Sequence, residues 1–369
     1  MVYTDLNPPS RTLLGPGPTM THPRVLRSMV TPLLGYIDPE FHKIMDEVQE
    51  LLRLVFQTSN NLTLPISGTG SAGMEASLCN FIEPGDHVVV GVNGFFGGRI
   101  AEMASRYGAE VSCIEKPWGQ VFSPDEIESA LSKKPTKMLA LVHAETSTGA
   151  LQPMDGMGEI AHRHDALLLL DTVTSLSGVP LKIDEWDIDI AYSASQKCLS
   201  CPPGLAPITI SERAVEIIRQ RKTKVANWYL DLSLIEKYWS DSRQYHHTVP
   251  INLIYALREG LRMVQEEGLE ARHIRHRSMA ELLWNGLEHL EFELHVHKEH
   301  RLPMLTTPVL YSKIDDAAIR SKLLEDYNIE IAGGFGPLAG KVWRIGLMGY
   351  SSRRENISLL LAALGDLIR

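Results

Sequence analysis

From Leu64 the chain repeats one pattern: a short apolar run, a glycine or proline turn, then apolar residues at helical spacing. The apolar runs at residues 87–91, 110–114, 138–143, 166–170 and 188–192 are β-branched or leucine-rich and do not alternate with polar residues. Such runs fit parallel strands covered by helices on both faces, whereas a half-solvated sheet would show alternation. Helical spacing fills the intervals. Residues 41–56 place Ile44, Val48, Leu51, Leu52 and Val55 on one face, residues 72–81 stop at Glu83-Pro84-Gly85-Asp86, and residues 98–107 end at Gly108. This is βαβ organisation with a mostly parallel sheet, so a ligand is expected at the carboxyl ends of the strands.

Beyond Tyr255 the character changes. Amphipathic patterns at 254–267 and 275–290 lead to strand-like stretches at 291–296 and 304–311. A helix at 317–327, a strand at 342–346 and a closing helix from Arg354 follow. At the other end, Leu13-Leu14-Gly15-Pro16-Gly17-Pro18 cannot be helical. The expected organisation is an N-terminal arm (1–20), a large α/β domain (21–265) and a smaller C-terminal α+β domain (266–369).

Composition narrows the function. Thirty-six Lys and Arg against 45 Asp and Glu give a net charge of −9, so neither nucleic acid nor an anionic membrane is an expected partner. No apolar run approaches the ~18–20 residues of a membrane span. The first 18 residues lack a signal-peptide core, and Asp366-Leu367-Ile368-Arg369 matches no simple address signal. Four cysteines are too few for a disulfide scaffold, which points to a reducing, cytoplasmic setting.

Gly68-Thr69-Gly70-Ser71-Ala72-Gly73 matches G-x-G-x-x-G and opens a helix. Glycines admit a phosphate to the backbone, and the helix N-terminus favours an anion. A dinucleotide site would also need an acid after the next strand, where Gly91-Val92-Asn93 stands, and Pro65 weakens the strand before the loop. A single phosphate group is the favoured ligand, with a purely structural turn as the alternative. Two further groups are expected at the same sheet edge. Leu167-Leu168-Leu169-Leu170-Asp171 runs an apolar strand into a carboxylate, and Ser193-Ala194-Ser195-Gln196-Lys197 ends in a lysine before Cys201-Pro202-Pro203-Gly204. Singly, Asp171 reads as a helix cap and Lys197 as a solvated loop residue. In this order with the glycine loop, they point to a shared site.

With Leu13-Leu14-Gly15-Pro16-Gly17-Pro18, Asn93-Gly94-Phe95-Phe96-Gly97, Glu145-Thr146-Ser147-Thr148-Gly149, Tyr245-His246-His247-Thr248 and Lys341-Val342-Trp343-Arg344-Ile345-Gly346, the chain resembles a known family over nearly its whole length. It is similar to pyridoxal-phosphate aminotransferases of fold type I, the aspartate-aminotransferase fold. Within them it resembles the class V group of alanine–glyoxylate and serine–pyruvate aminotransferases. The resemblance implies pyridoxal 5'-phosphate as cofactor, with Lys197 forming the Schiff base and moving the substrate Cα proton. Asp171 would hold the pyridine nitrogen protonated. Thr69, Gly70, Ser71 and Gln196 would surround the phosphate, Phe96 would stack on the ring and Thr146 would lie near its phenolic oxygen. Tyr245 and Thr248 would reach the phosphate of a neighbouring subunit, making the active unit a homodimer with shared sites. Arg344 would pair with the substrate carboxylate as a two-pronged fork.

Without the resemblance, Phe96 reads as a core residue and Arg344 as a surface one. Ser71 and Phe96 stand where some animal relatives carry histidine and tryptophan, which concerns donor preference. The implied reaction is ping-pong transamination of alanine or serine with glyoxylate or pyruvate. Another donor, 3-hydroxykynurenine or an aminophosphonate, is the alternative within the family; a nicotinamide oxidoreductase or a non-catalytic cofactor-binding protein is the alternative outside it. No metal is expected: Cys198-x-x-Cys201 has no second pair, and His295, His297 and His300 read as exposed. A redox role for the two cysteines beside Lys197 is open to test by alkylation.

Overall fold

A computed structural model describes residues 4–368; Met1–Tyr3, at the tip of the expected arm, and Arg369, the last of the C-terminal four, lie outside the described residues. The centre is a seven-stranded sheet: β1 (Leu62–Ser67), β2 (His87–Val92), β3 (Glu110–Glu115), β4 (Met138–Val142), β5 (Leu167–Asp171), β6 (Ile190–Tyr192) and β7 (Leu205–Ile210). Their spatial order is β1-β7-β6-β5-β4-β2-β3. β7 is antiparallel to both neighbours, and the other pairings are parallel. With β7 reversed, β1 points the same way as β6, so the carboxyl ends of six strands share one edge.

Pro65 does not break β1. It lies at the sheet edge, opposite Pro207 in the β7 register, where neither proline has to supply a ladder N–H to the other. β3 departs from the expected double coverage, because it is the other edge strand and most of its side chains are exposed. The inner strands are apolar on both faces: Val88, Val90, Leu139, Leu141, Leu168 and Leu170 are inaccessible. Burying each such side chain contributes about 1.5–3 kcal/mol.

The helices follow local signals. Helix Pro39–Phe56 starts where the Asp38 carboxylate accepts from Glu40 N (2.8 Å), with Pro39 in the first turn. Its buried face, Phe41, Met45, Val48, Leu52 and Val55, meets helix Ile251–Glu267. A second apolar core holds Leu283 and Leu287 from helix Leu269–His289, Leu360 and Leu364 from helix Arg354–Leu367, and Trp343 and Ile345 from strand Trp343–Gly346.

The strand-like stretches at 291–296 and 304–311 form less sheet than their composition suggests. Only Leu305–Thr306 makes a ladder, with Trp343–Gly346, and isolated bridges join Leu294 to Pro308 and Val309 to Val342. Pro308 has no N–H to donate, which interrupts the pairing.

The N-terminal segment is only partly an arm. Residues 4–10 are exposed, but Thr12–Leu13 pairs in parallel with Ile329–Glu330, and Leu14 joins the second core. Gly346 N then donates to Leu14 O (2.7 Å), and Thr19 N to Gln196 O (3.0 Å).

Candidate active site

The glycine turn follows β1, Asp171 ends β5, and Lys197 lies five residues beyond β6, so all three fall on the shared edge. The strand after the glycine helix, β2, is not beside β1. A dinucleotide loop opens a unit of neighbouring parallel strands, and this arrangement does not provide one.

Asp171 is 3% exposed and accepts from Val173 N (2.9 Å) and from the Tyr192 hydroxyl (2.6 Å). Burial pushes its carboxyl up to about 6, against the pull of those donors. Lys197 donates from Nζ to Pro16 O. Burial lowers its amine to about 8, with the Arg344 cation adding to the effect and Asp171 opposing it. Gly17 crosses directly over this amine: a Cβ there would lie 2.6 Å from Nζ and push the lysine aside, and its φ of +120° is what requires glycine.

At the helix N-terminus, Gly70 packs so closely that a Cβ would come within 2.9 Å of the Ala194 Cβ. Thr69 caps helix Gly70–Cys79 without a side-chain hydrogen bond. Gln196 Oε1 is buried with no partner. The Gly70 and Ser71 N–H groups meet no acceptor among the described residues, and such a helix N-terminus favours an anion. Ser71 Oγ stands 3.5 Å from the Arg99 guanidinium, which also lies 4.9 Å from the Phe95 ring and 5.1 Å from that of Phe96.

Arg344 is 5% exposed. Its Nε donates to Gly333 O (2.8 Å), and its guanidinium carbon lies 3.8 Å from the centre of the Phe335 ring. Burial lowers its pKa to about 10, with Glu145 opposing. Among the described residues no acceptor takes its two terminal nitrogens, which leaves the fork for a ligand. Thr146 is buried, and its hydroxyl likewise has no hydrogen-bond partner among the described residues.

Several residues that motif reading left without a role belong to this assembly. Glu145 is inaccessible and accepts from Ser147 N (3.0 Å), Ser147 Oγ (2.7 Å) and Phe96 N (3.0 Å), so it pins the start of helix Phe95–Arg106 to the pocket. A Cβ on Gly94 would meet the Glu145 Cγ at 2.3 Å, so only glycine passes there. Tyr192 is the cross-strand neighbour of Asp171. Phe335 touches Phe95 (5.1 Å between ring centres) and links it to Arg344.

Tyr245 and Thr248 are exposed, 3.3 Å apart at their oxygens, and neither is hydrogen-bonded to Lys197, Asp171 or Arg344 within the chain. The histidines expected to be exposed are not uniformly so: His297 is, but His295 is half-buried with Nε2 2.8 Å from Trp118 O, and His300 is half-buried too. Among the described residues no His, Cys, Asp and Glu cluster could hold a metal ion.

Chemically, this pocket can take a ligand with an anionic group at the glycine turn, a basic nitrogen at Asp171 and a carbonyl at Lys197, together with a carboxylate at Arg344. The family model for class-V aminotransferases matches residues 13–359. The (S)-ureidoglycine–glyoxylate transaminase of Bacillus subtilis is 44% identical over 98% of this chain and 91% of its own length. The alanine–glyoxylate aminotransferase of Callithrix jacchus is 44% identical over 99% of this chain and 89% of its own. Among solved structures, the alanine–glyoxylate aminotransferase of Nostoc sp. superposes with a TM-score of 0.99 at 53% identity, covering 100% of this chain and 98% of that one. The chain belongs to the class-V aminotransferases, enzymes of the pyridoxal-phosphate-dependent fold type I.

Proposed function

We propose that the protein transfers an amino group from a small amino acid, alanine or serine, to glyoxylate, in two half-reactions on one bound pyridoxal phosphate. The observation that carries this reading is a buried Arg344 whose two terminal nitrogens meet no acceptor among the described residues, close enough to Lys197 for its charge to act on that amine. A carboxylate held by Arg344 would bring the adjacent Cα to Lys197. The relatives named above differ in donor but share glyoxylate as acceptor, which favours glyoxylate over pyruvate.

When bound, the cofactor supplies an electron sink. Lys197 would hold its carbonyl carbon and would be the group to move the substrate Cα proton. Asp171 would keep the ring nitrogen protonated, with the Tyr192 and Val173 donors holding that carboxylate in place. Thr69, Gly70, Ser71 and Gln196 would receive the phosphate, Phe96 would cover the ring, and Thr146 would serve its phenolic oxygen. The remaining parts of the reading are a homodimer in which Tyr245 and Thr248 complete the partner's phosphate site, division into an arm to residue 20 and domains meeting near 265, and a cytoplasmic location. Among the described residues no helix is long and apolar enough to cross a membrane.

The test is a panel of amino acids mixed rapidly with the holoenzyme while its visible absorption is followed. Alanine or serine should bleach the band within the turnover time, and glyoxylate should restore it. Bleaching by ureidoglycine alone would move the assignment to that donor. Absence of bleaching by any amino acid would end the reading.

Two further outcomes are expected. Arg344→Lys should lower kcat/KM for the amino donor by about 10²-fold, and Arg344→Ala by about 10³-fold, since a point charge cannot replace the fork. Both variants should keep the visible band; loss of the band would mean that Arg344 holds the cofactor rather than the substrate. Separately, cofactor capture by the stripped protein needs the neutral Lys197 amine. Its rate should therefore rise with pH and reach half its plateau near 8, where an ordinary lysine would do so near 10.5. A midpoint above 10 in a stopped-flow pH series would contradict this.

A further inference from the structure

The paired histidines of the exposed loop make a chain of contacts that the reaction does not itself require. His246 Nε2 lies 3.2 Å from Trp228 O, His246 Nδ1 lies 2.8 Å from His247 Nδ1, and His247 Nε2 lies 2.7 Å from Ser67 Oγ. The His246 ring is stacked on Trp228 with centres 4.3 Å apart, and it is 7% exposed.

A carbonyl only accepts, so His246 Nε2 carries the hydrogen. In the neutral ring its Nδ1 is then a lone pair, and His247 Nδ1 must donate to it. That leaves His247 Nε2 as the acceptor, and Ser67 must donate. With both rings neutral, this is the one proton arrangement that satisfies every contact. Burial holds His247 down at about 4, with its neighbour His246 adding to the effect. The Tyr229 ring packs 4.9 Å from that of His247, and among the described residues no carboxylate or ammonium group is paired with either histidine.

Ser67 is the last residue of β1 and directly precedes the Gly68-Thr69-Gly70 turn. One side of that turn is held by the residue just before β7, through Gly68 N to Gly204 O (2.9 Å). The other side is held by the relay and by the Tyr229 hydroxyl, which donates to Ser67 O (3.3 Å).

We infer that His246 and His247 are positioning residues: their relay fixes Ser67, and through it the phosphate-binding turn, and ties that turn to the loop bearing Tyr245 and Thr248. This rests on the cofactor site proposed above. In the dimer of that reading, the same relay joins the phosphate turn of one subunit to the residues it lends to the other.

The experiment titrates the cofactor-stripped full chain with pyridoxal phosphate and, separately, with pyridoxal, which lacks the phosphate, following the visible band. Ser67→Ala and His247→Leu should each weaken pyridoxal phosphate by about tenfold, the scale of one lost buried hydrogen bond, while pyridoxal changes less than about twofold. Ser67→Thr, which keeps the hydroxyl, should return the wild-type ratio. Equal weakening of both ligands, or an unchanged ratio in Ser67→Ala, overturns the inference. A wild-type chain that binds the two ligands alike overturns the phosphate site itself, which separates the two failures.

Discussion

Lys197→Ala is expected to abolish the visible band of the protein-bound cofactor and to lower transamination by at least about 10⁴-fold. In the proposed reading two tasks fall on this one side chain, covalent attachment and proton transfer at Cα, and proton transfer alone is worth about 10²–10⁴-fold. The fold should not suffer. The amine is held well below its usual pKa by burial, and its one hydrogen bond is to Pro16 O, so truncation removes a poorly solvated group together with a single contact. Thermal unfolding should stay within a few degrees of the wild type. A small exogenous amine should restore part of the rate, because it can carry the proton that the side chain no longer carries. Retention of more than about 1% of the rate would exclude Lys197 from proton transfer at Cα.

Asp171→Asn should separate activity from stability. Burial raises the Asp171 carboxyl from 3.8 to about 6 despite the nearby Lys197, so the folded chain binds its proton more tightly than the unfolded chain does. The sign follows: this group weakens the fold as pH rises from about 4 through about 6, and above that the penalty is complete. Its size is on the order of 3 kcal/mol. The amide removes that penalty, so the cofactor-free variant at pH 8 should unfold at the same or a higher temperature than the wild type. The rate should fall by about 10³-fold, since a neutral amide cannot hold a protonated ring nitrogen by charge. Activity within tenfold of the wild type would rule out this role for Asp171.

Much of the fold was legible in the chain. Apolar runs without alternation announce a sheet covered on both faces, and six of its seven strands are parallel to one another. The reversed strand β7 was not legible, because Leu205–Ile210 follows a proline turn and looks like its neighbours. Pairing direction is set by where the connection returns, and composition does not record that. Pro65 and Pro308 show the same dependence on place. The first is harmless at an edge, and the second interrupts a ladder. In the site, Lys197, Asp171 and Arg344 stand in motifs. Tyr192 acts across a strand pair, Glu145 through the Phe96 N–H 49 residues away, and Phe335 through a ring face, so no local spacing reveals these contacts.

The segment from Thr12 to Thr19 bears on how the protein is made. Its strand partners are Ile329 and Glu330, and its further hydrogen bonds run to Gly346, Met348 and Ser351. Residues 12–19 therefore cannot take their places until residues 329–351 have been made. The large core, which closes by Val264, can assemble before then, but Pro16 and Gly17 reach the Lys197 amine only afterwards. A nascent chain stalled before residue 329 would carry the sheet and the residues assigned to the cofactor, yet lack both the cover over Lys197 and the Arg344 fork.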